Sequence, residues 1–385
     1  MAGYSKWGIV RMCMLFISAI FIAGMMSGCS TKISEEPNVS TEAVNEKLMG
    51  DATLTEATET QEPEPDIKTI TITATGDCTF GPTQTHGYAG SVFEYYDNNG
   101  PDYFMQNVRD IFLQDDFTLV NLECALTNSD ARVEKEFSLK GKPEYTSIMT
   151  GSSIEGCTMG NNHTLDYGEG GLQDTKDAVQ AAGLSYAWNN EVGTYTTKDG
   201  MVIGFVSVSL LSQAVERQEM VRTGIETLRN QGVDLVIAAC HWGEERTYYP
   251  TDYQQTMAHN CIDWGADVVI GCHPHVLQGL EVYNGRVICY SLGNFCFGGN
   301  SNPADKDTMI YQQTFTFVDG QLQQDLNAQI IPCTVSGHDG YNDYQPAVAQ
   351  GDRRTKILEN VKQYSAAYSA VTFDESGKLV MNVVD

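Results

Sequence analysis

Two imidazoles leave the end of one apolar run. Residues 265–275 read Gly265-Ala266-Asp267-Val268-Val269-Ile270-Gly271-Cys272-His273-Pro274-His275, so His273 and His275 stand two residues apart across a proline that fixes the backbone. A continuous Val/Ile run of this length suits a buried parallel strand, and ligand sites in open α/β sheets lie beyond the carboxyl ends of such strands. The placement recurs along the chain. Residues 69–75 run into Gly76-Asp77, 117–120 into Asn121-Leu122-Glu123, 157–160 into Asn161-Asn162-His163, and 235–240 into His241-Trp242-Gly243-Glu244-Glu245. Four of the seven histidines therefore follow an apolar strand. One such residue is usually a cap or a hydrogen-bond anchor. A parallel sheet brings all its carboxyl ends to one edge, so Asp77, Glu123, Asn162, His241, His273 and His275 should converge. Carboxylate, amide oxygen and imidazole together suit manganese, iron or zinc better than calcium, which prefers oxygens, or a thiolate-held structural metal. Six donors suffice for one or two ions. Paired ions about 3.5–4 Å apart are the arrangement used to hydrolyse phosphoesters. Asp166, three residues after His163, is placed either to accept from the far ring nitrogen and fix its tautomer or to cap the following helix. Glu244 is likewise a partner for His241 or an exposed loop acid.

The elements that must position these groups alternate. Strands are expected at 69–75, 117–122, 156–159, 201–208, 233–239, 267–270 and 286–291, and helices at 171–182, 215–230, 252–264 and 352–367. That alternation predicts an α/β fold with a mostly parallel sheet and helices on its faces. Segments 311–318 and 321–332 predict a final hairpin turning at Asp319-Gly320.

Upstream, Lys6 and Arg11 precede an apolar stretch from Met12 to Met26 and then Ser27-Gly28-Cys29. This stretch is short for a span of about 20 residues and has the layout of an export signal. Met26-Ser27-Gly28-Cys29 resembles a bacterial lipobox, which implies cleavage before Cys29 and lipidation of that cysteine. Residues 30–66 are rich in Glu, Thr and Pro, with almost no large apolar side chains, and are expected to form a disordered acidic tether. The net charge of -27 argues against nucleic acid or an anionic lipid surface as partner, because both need basic patches. Of eleven cysteines, Cys13 and Cys29 lie in or end the signal; the odd remainder without a Cys-x-x-Cys spacing predicts buried thiols that behave as small hydrophobes.

The ordered set Thr75-Gly76-Asp77, Asn121-Leu122-Glu123, Asn161-Asn162-His163-Thr164-Leu165-Asp166-Tyr167-Gly168, His241-Trp242-Gly243-Glu244, Gly271-Cys272-His273-Pro274-His275 and Ser291-Leu292-Gly293-Asn294-Phe295 resembles the CapA family of capsule and poly-γ-glutamate synthesis proteins. That family resembles the calcineurin-like metallophosphoesterases. The resemblance implies a four-layer α/β/β/α sandwich with a metal site at the C-terminal ends of strands. It implies that Asp77 binds one divalent metal (Mn, Fe or Zn), that Glu123 bridges two, that Asn162, His241 and His273 serve the second, and that His275 returns to the first. His163 would protonate the leaving group, with Asp166 beside it. Thr79 stands where the phosphoesterases place a histidine, and Glu123 where they place an aspartate. The expected organisation is a lipoprotein signal at 1–29, the tether at 30–66, a CapA-type domain at 67–335 and a C-terminal helix and tail at 336–385. The expected function is metal-dependent hydrolysis or transfer on a cell-envelope polymer or its phosphorylated precursor, outside the cytoplasm and anchored by lipid to the bacterial membrane. The alternative is a non-catalytic scaffold that holds the polymer or its membrane synthase.

Overall fold

The computed structural model describes residues 64–368 and 371–381. The expected export signal, Cys29 and the expected tether as far as residue 63 lie outside the described residues. Within them, the apolar runs form two large sheets, where the alternation of elements alone pointed to one mostly parallel sheet. The nine-stranded sheet is centred on Ile67–Thr79, which pairs in parallel with Phe117–Leu122 and antiparallel with Asp307–Val318. Phe117–Leu122 continues in parallel to Gly156–Thr158 and then Ser185–Ala187. The six-stranded sheet carries Val202–Ser209, Leu235–His241, Val268–Cys272 and Arg286–Cys289 in parallel, with antiparallel strands Gly193–Thr196 and Leu280–Tyr283 at its edges. Each local pattern was that of a strand buried on both faces, which is the same in either sheet.

Alternation within those runs decides which way each side chain packs. In Leu235–His241, Leu235 and Ile237 join a cluster with Ile70, Ile72, Phe117 and Leu119 of the other sheet. Val236, Ala238 and Cys240 instead meet Val221, Ile225 and Leu228 of helix Val215–Asn230 and Met257 and Cys261 of helix Asp252–Asp263. On the nine-stranded sheet, Val120, Leu122 and Cys157 pack with Leu172 and Val179 of helix Gly168–Ala181. Burying such a Val or Leu side chain contributes about 1.5–3 kcal/mol each. The fold is therefore mixed α/β, with each strand's two faces committed to different neighbours.

Several elements depart from expectation at their ends. Helix Val215–Asn230 has its expected limits, and helix Asp252–Asp263 opens with a capping box in which Thr251 and Gln254 bond reciprocally. The final hairpin does turn after Val318, but its return strand is interrupted: Gln321–Leu322 and Ala328–Thr334 pair separately with Asp307–Val318. Helix Gly351–Ser365 places Ile357 and Val361 in the cluster shared by the two sheets. All nine cysteines of the described residues are buried and unpaired. No helix among the described residues is long and apolar enough to cross a membrane.

Candidate metal centre

The carboxyl ends of strands from both sheets meet. Asp77 lies in Ile67–Thr79, where the register against Phe117–Leu122 shifts between Ala74 and Asp77. Such a bulge re-aims the side chains that follow it. Gly76 permits the bend, since a Cβ there would lie 1.8 Å from the Gly293 carbonyl oxygen. The Asp77 N–H donates to that same oxygen at 2.9 Å. The two sheets also touch at Gly160, whose N–H donates to Ser207 Oγ at 2.8 Å and whose added Cβ would meet the Ser207 backbone at 2.4 Å. That contact brings the Asn161-Asn162-His163 turn over the end of Leu235–His241. Asn162 Oδ1 lies 2.7 Å from His241 Nε2.

From the other sheet, His273 and His275 both sit at positive φ, 99° and 57°. Non-glycine residues adopt this conformation at a cost, and such strain collects at functional sites. The turn delivers His275 Nδ1 to 3.0 Å from Asp77 Oδ2 and 2.9 Å from Asn294 Oδ1. Asn121 donates to Asp77 Oδ1 at 2.7 Å. Glu123 is fully buried, with Oε1 3.5 Å from His241 Nε2 and 3.9 Å from His275 Nε2. Two groups of potential metal ligands result, Asp77, Glu123 and His275 in one and Glu123, His241 and His273 in the other, each with ligand atoms within 4.8 Å of one another. Glu123 belongs to both. A third group joins His273 and His275 to Glu245.

The electrostatics are those of acids and imidazoles buried together. Burial pushes the Glu123 carboxyl well above its usual range, and the Asp77 charge adds to that. Burial also works against ionised Asp77, but hydrogen bonding and charge from His275 outweigh it and hold that carboxyl low. Burial opposes the His275 imidazolium too, yet Glu123 and Asp77 raise it to about 10. Burial lowers His273 to about 4 and His241 well below its ordinary value, with neighbouring imidazoles adding to both. Both Glu123 oxygens and His273 Nδ1 are buried without a hydrogen-bond partner among the described residues. Orphaned acceptors of this kind cost about 1–3 kcal/mol each, and more when charged. The donor set, oxygen and imidazole nitrogen, therefore fits a divalent transition metal.

His163 stands apart from those groups. Its Nδ1 is 2.7 Å from Asp166 Oδ2, and its N–H donates to Asn161 Oδ1 at 3.0 Å. Asp166 does not cap the next helix, whose N-cap is Tyr167 without a side-chain bond. Thr79 accepts from the Gly299 N–H at 2.9 Å, so its hydroxyl ties down the backbone. Glu244 is exposed, and its neighbour Glu245 is the acid that reaches the histidines. The structure thus gathers Asp77, Glu123, Asn162, His241, His273 and His275, with the His163–Asp166 pair alongside. Sequence reasoning quoted Asn121, Asn161 and Glu245 within its motifs but gave them no role.

Comparison with known proteins agrees with the motif order. Residues 71–299 match the family model described as bacterial capsule synthesis protein PGA_cap. The PGA biosynthesis protein CapA of Bacillus subtilis is 30% identical over 254 residues, covering 60% of this chain and 66% of the relative. The capsule biosynthesis protein CapA of Bacillus anthracis is 28% identical over 255 residues, covering 59% and 60%. A probable polyglutamine synthesis accessory protein of Mycobacterium tuberculosis is 24% identical over 255 residues, covering 57% and 66%. The matched region thus spans 66% and 60% of the lengths of the two Bacillus relatives. Since the family model covers more than half of the sequence, including every motif from Asp77 to Asn294, this chain belongs to the bacterial capsule synthesis PGA_cap family, within the metallophosphoesterase-like superfamily.

Proposed function

We propose that this protein is a lipid-anchored, extracytoplasmic metal-dependent hydrolase or transferase that acts on a capsule polymer, poly-γ-glutamate or another envelope polymer, or on its phosphorylated precursor. One observation carries the reading: Glu123 is shared by two groups of ligand atoms while both its buried oxygens lack any hydrogen bond among the described residues. Asp77 and His275 would hold one divalent ion with Glu123, and His241, His273 and Asn162 would hold a second. When bound, such ions activate water and neutralise charge on phosphoryl or carbonyl oxygen. The chain's own residues do the rest. Asn121 and the His273 N–H orient the Asp77 carboxylate. Asn294 fixes the His275 ring. Asp166 accepts from His163 Nδ1; the imidazolium would give its Nε2 proton to the departing oxygen and leave the neutral Nδ1–H ring. The four-layer α/β/β/α order is part of the same reading, supported by side chains of both sheets sharing one cluster while helices cover their other faces.

The rival is a non-catalytic scaffold for the polymer or its synthase. It is favoured by the commitment of Thr79 to Gly299, which leaves that hydroxyl engaged in the fold. Metal content and turnover of a generic phosphoester by the purified protein separate the two. Bound manganese, iron or zinc that is lost in His273→Ala together with turnover supports the enzyme. Parent and variant proteins that are both metal-free after expression with added manganese and zinc support the scaffold.

A further inference from the structure

The loop 127–139 hangs from a short base in which Ala125–Leu126 pairs with Lys140–Gly141. Its inner side is held mainly by Asp166. The Val133 N–H donates to the Asp166 backbone oxygen at 2.8 Å, and the Leu139 N–H donates to Asp166 Oδ2 at 2.6 Å. Lys135 Nζ donates to Asp166 Oδ1 at 2.6 Å and to the Asn162 backbone oxygen at 3.0 Å. Asp166 is almost wholly buried, with its side chain 1% exposed, whereas that of Lys135 is 30% exposed.

We propose that Lys135 is a positioning residue for His163: its ammonium clamps Asp166 and the Asn162 carbonyl together, and so fixes the tautomer and direction of the His163 ring. This rests on the reading of His163 as proton donor. Two contacts compete for His163 Nδ1, the Asp166 carboxylate at 2.7 Å and the Lys135 ammonium at 3.4 Å. The shorter one decides, because two acceptors do not approach to hydrogen-bond distance without a proton between them. Nδ1 therefore carries hydrogen, and Lys135 directs its own hydrogens to Asp166 Oδ1 and Asn162. With Lys135 in place, Oδ1 is held by the ammonium and Oδ2 by Leu139 and His163. Without it, Oδ1 is a buried anionic oxygen lacking its charged donor, and the carboxylate is free to turn away from the ring. The same ammonium ties the loop to residue 162, whose side chain reaches His241, so one cation bridges the two halves of the site.

The test compares Lys135→Met and Lys135→Arg with the parent in the full chain. Long-range proton–nitrogen spectra report the His163 tautomer, with its signals assigned by their loss in His163→Gln. The parent should show a single Nδ1–H form, Lys135→Met a mixture or the Nε2–H form, and Lys135→Arg the parent form. Metal content should be unchanged in both, and turnover of a generic phosphoester by Lys135→Met should fall roughly tenfold to a hundredfold with KM nearly constant, since a positioned proton donor is worth about 10²–10⁴. An unchanged His163 tautomer in a folded Lys135→Met protein overturns the proposal. If the parent itself turns nothing over, the proposed activity fails, and the spectra alone then decide the role of Lys135. Should Lys135→Met not fold, Lys135→Gln, which keeps an uncharged amide donor, is read in the same way.

Discussion

Glu123 Oε1 lies 3.5 Å from His241 Nε2, although the two residues close strands of different sheets. This carboxylate is where the sheets exchange chemistry, and it has the least to do when no cation is present. Replacing it with glutamine should therefore affect binding and stability in opposite senses. Loss of residues that only support a ligand costs about 10–100-fold in metal affinity, so Glu123→Gln, which removes a shared ligand, should exceed a hundredfold. The metal-free variant should be at least as stable as the metal-free parent at neutral pH, because an acid that burial disfavours as an ion, and whose oxygens accept no hydrogen bond among the described residues, is replaced by a neutral amide. Calorimetric titration with manganese or zinc and denaturation with chelator present check the two halves. Affinity within a few-fold of the parent would remove Glu123 from the site.

Adjacent asparagines should behave differently. Asn161 donates to Asn121 Oδ1 and the Leu122 oxygen at 3.1 and 2.9 Å and accepts from the His163 N–H and Thr164 Oγ1. Asn162 aims its amide oxygen at His241. Asn161→Ala should cost roughly 2 kcal/mol or more of unfolding free energy, since it strips several buried partners at once. Asn162→Ala should leave stability nearly unchanged and weaken metal binding. Equal stability loss in both, measured by denaturant titration, would contradict this division of labour.

The residues that carry chemistry were legible because each stands just past a strand-like segment, continuous Val, Ile, Leu and Ala before His241 and His273, a Thr/Ile alternation before Asp77 and Cys-Thr-Met before the Asn161–His163 turn. What such runs leave open is partnership. Val236 and Ile237 look alike in sequence, yet one faces a helix and the other the opposite sheet. The contact of Gly160 with Ser207 joins residues nearly fifty positions apart, and no local pattern announces it. Glu245 rather than Glu244 reaches the histidines because the chain turns at Gly243, which sits at φ 80°. Helix Val92–Asn99 was missed for a local reason: Tyr95-Tyr96-Asp97-Asn98-Asn99 contains poor helix formers, and Phe93, Tyr95 and Tyr96 pack against an aromatic-rich cluster.

The proposed anchor is tested at Cys29, outside the described residues. If Cys29 ends an export signal and carries the lipid, Cys29→Ala should lack the lipid and accumulate as unprocessed chain. Fractionation with detection of the protein checks it. A variant processed and retained like the parent would show that membrane attachment, if present, resides elsewhere.

The last prediction concerns pH and a residue far from the histidines. Asp115 precedes Phe117–Leu122, and Thr118 Oγ1 donates to its Oδ2 at 2.6 Å. Burial raises its carboxyl to about 7, against the opposing hydrogen bonds from Thr118 and Thr73, and the nearby Glu155 and Asp116 charges add to the rise. In the unfolded chain the group returns to about 3.8. Between these values the unfolded chain has released the proton while the native protein still holds it. Raising the pH therefore favours unfolding: this contribution to stability is complete below the unfolded value and lost as pH rises through the folded one. The slope from one such group approaches about 1.4 kcal/mol per pH unit at its steepest. Asp115→Asn removes the titration and keeps a similar shape. Its stability relative to the parent should grow as pH rises from about 5 to 7 and level off above that, in denaturant titrations read at each pH. A difference that does not vary across this window would mean that Asp115 ionises in the native protein as it does in the unfolded chain.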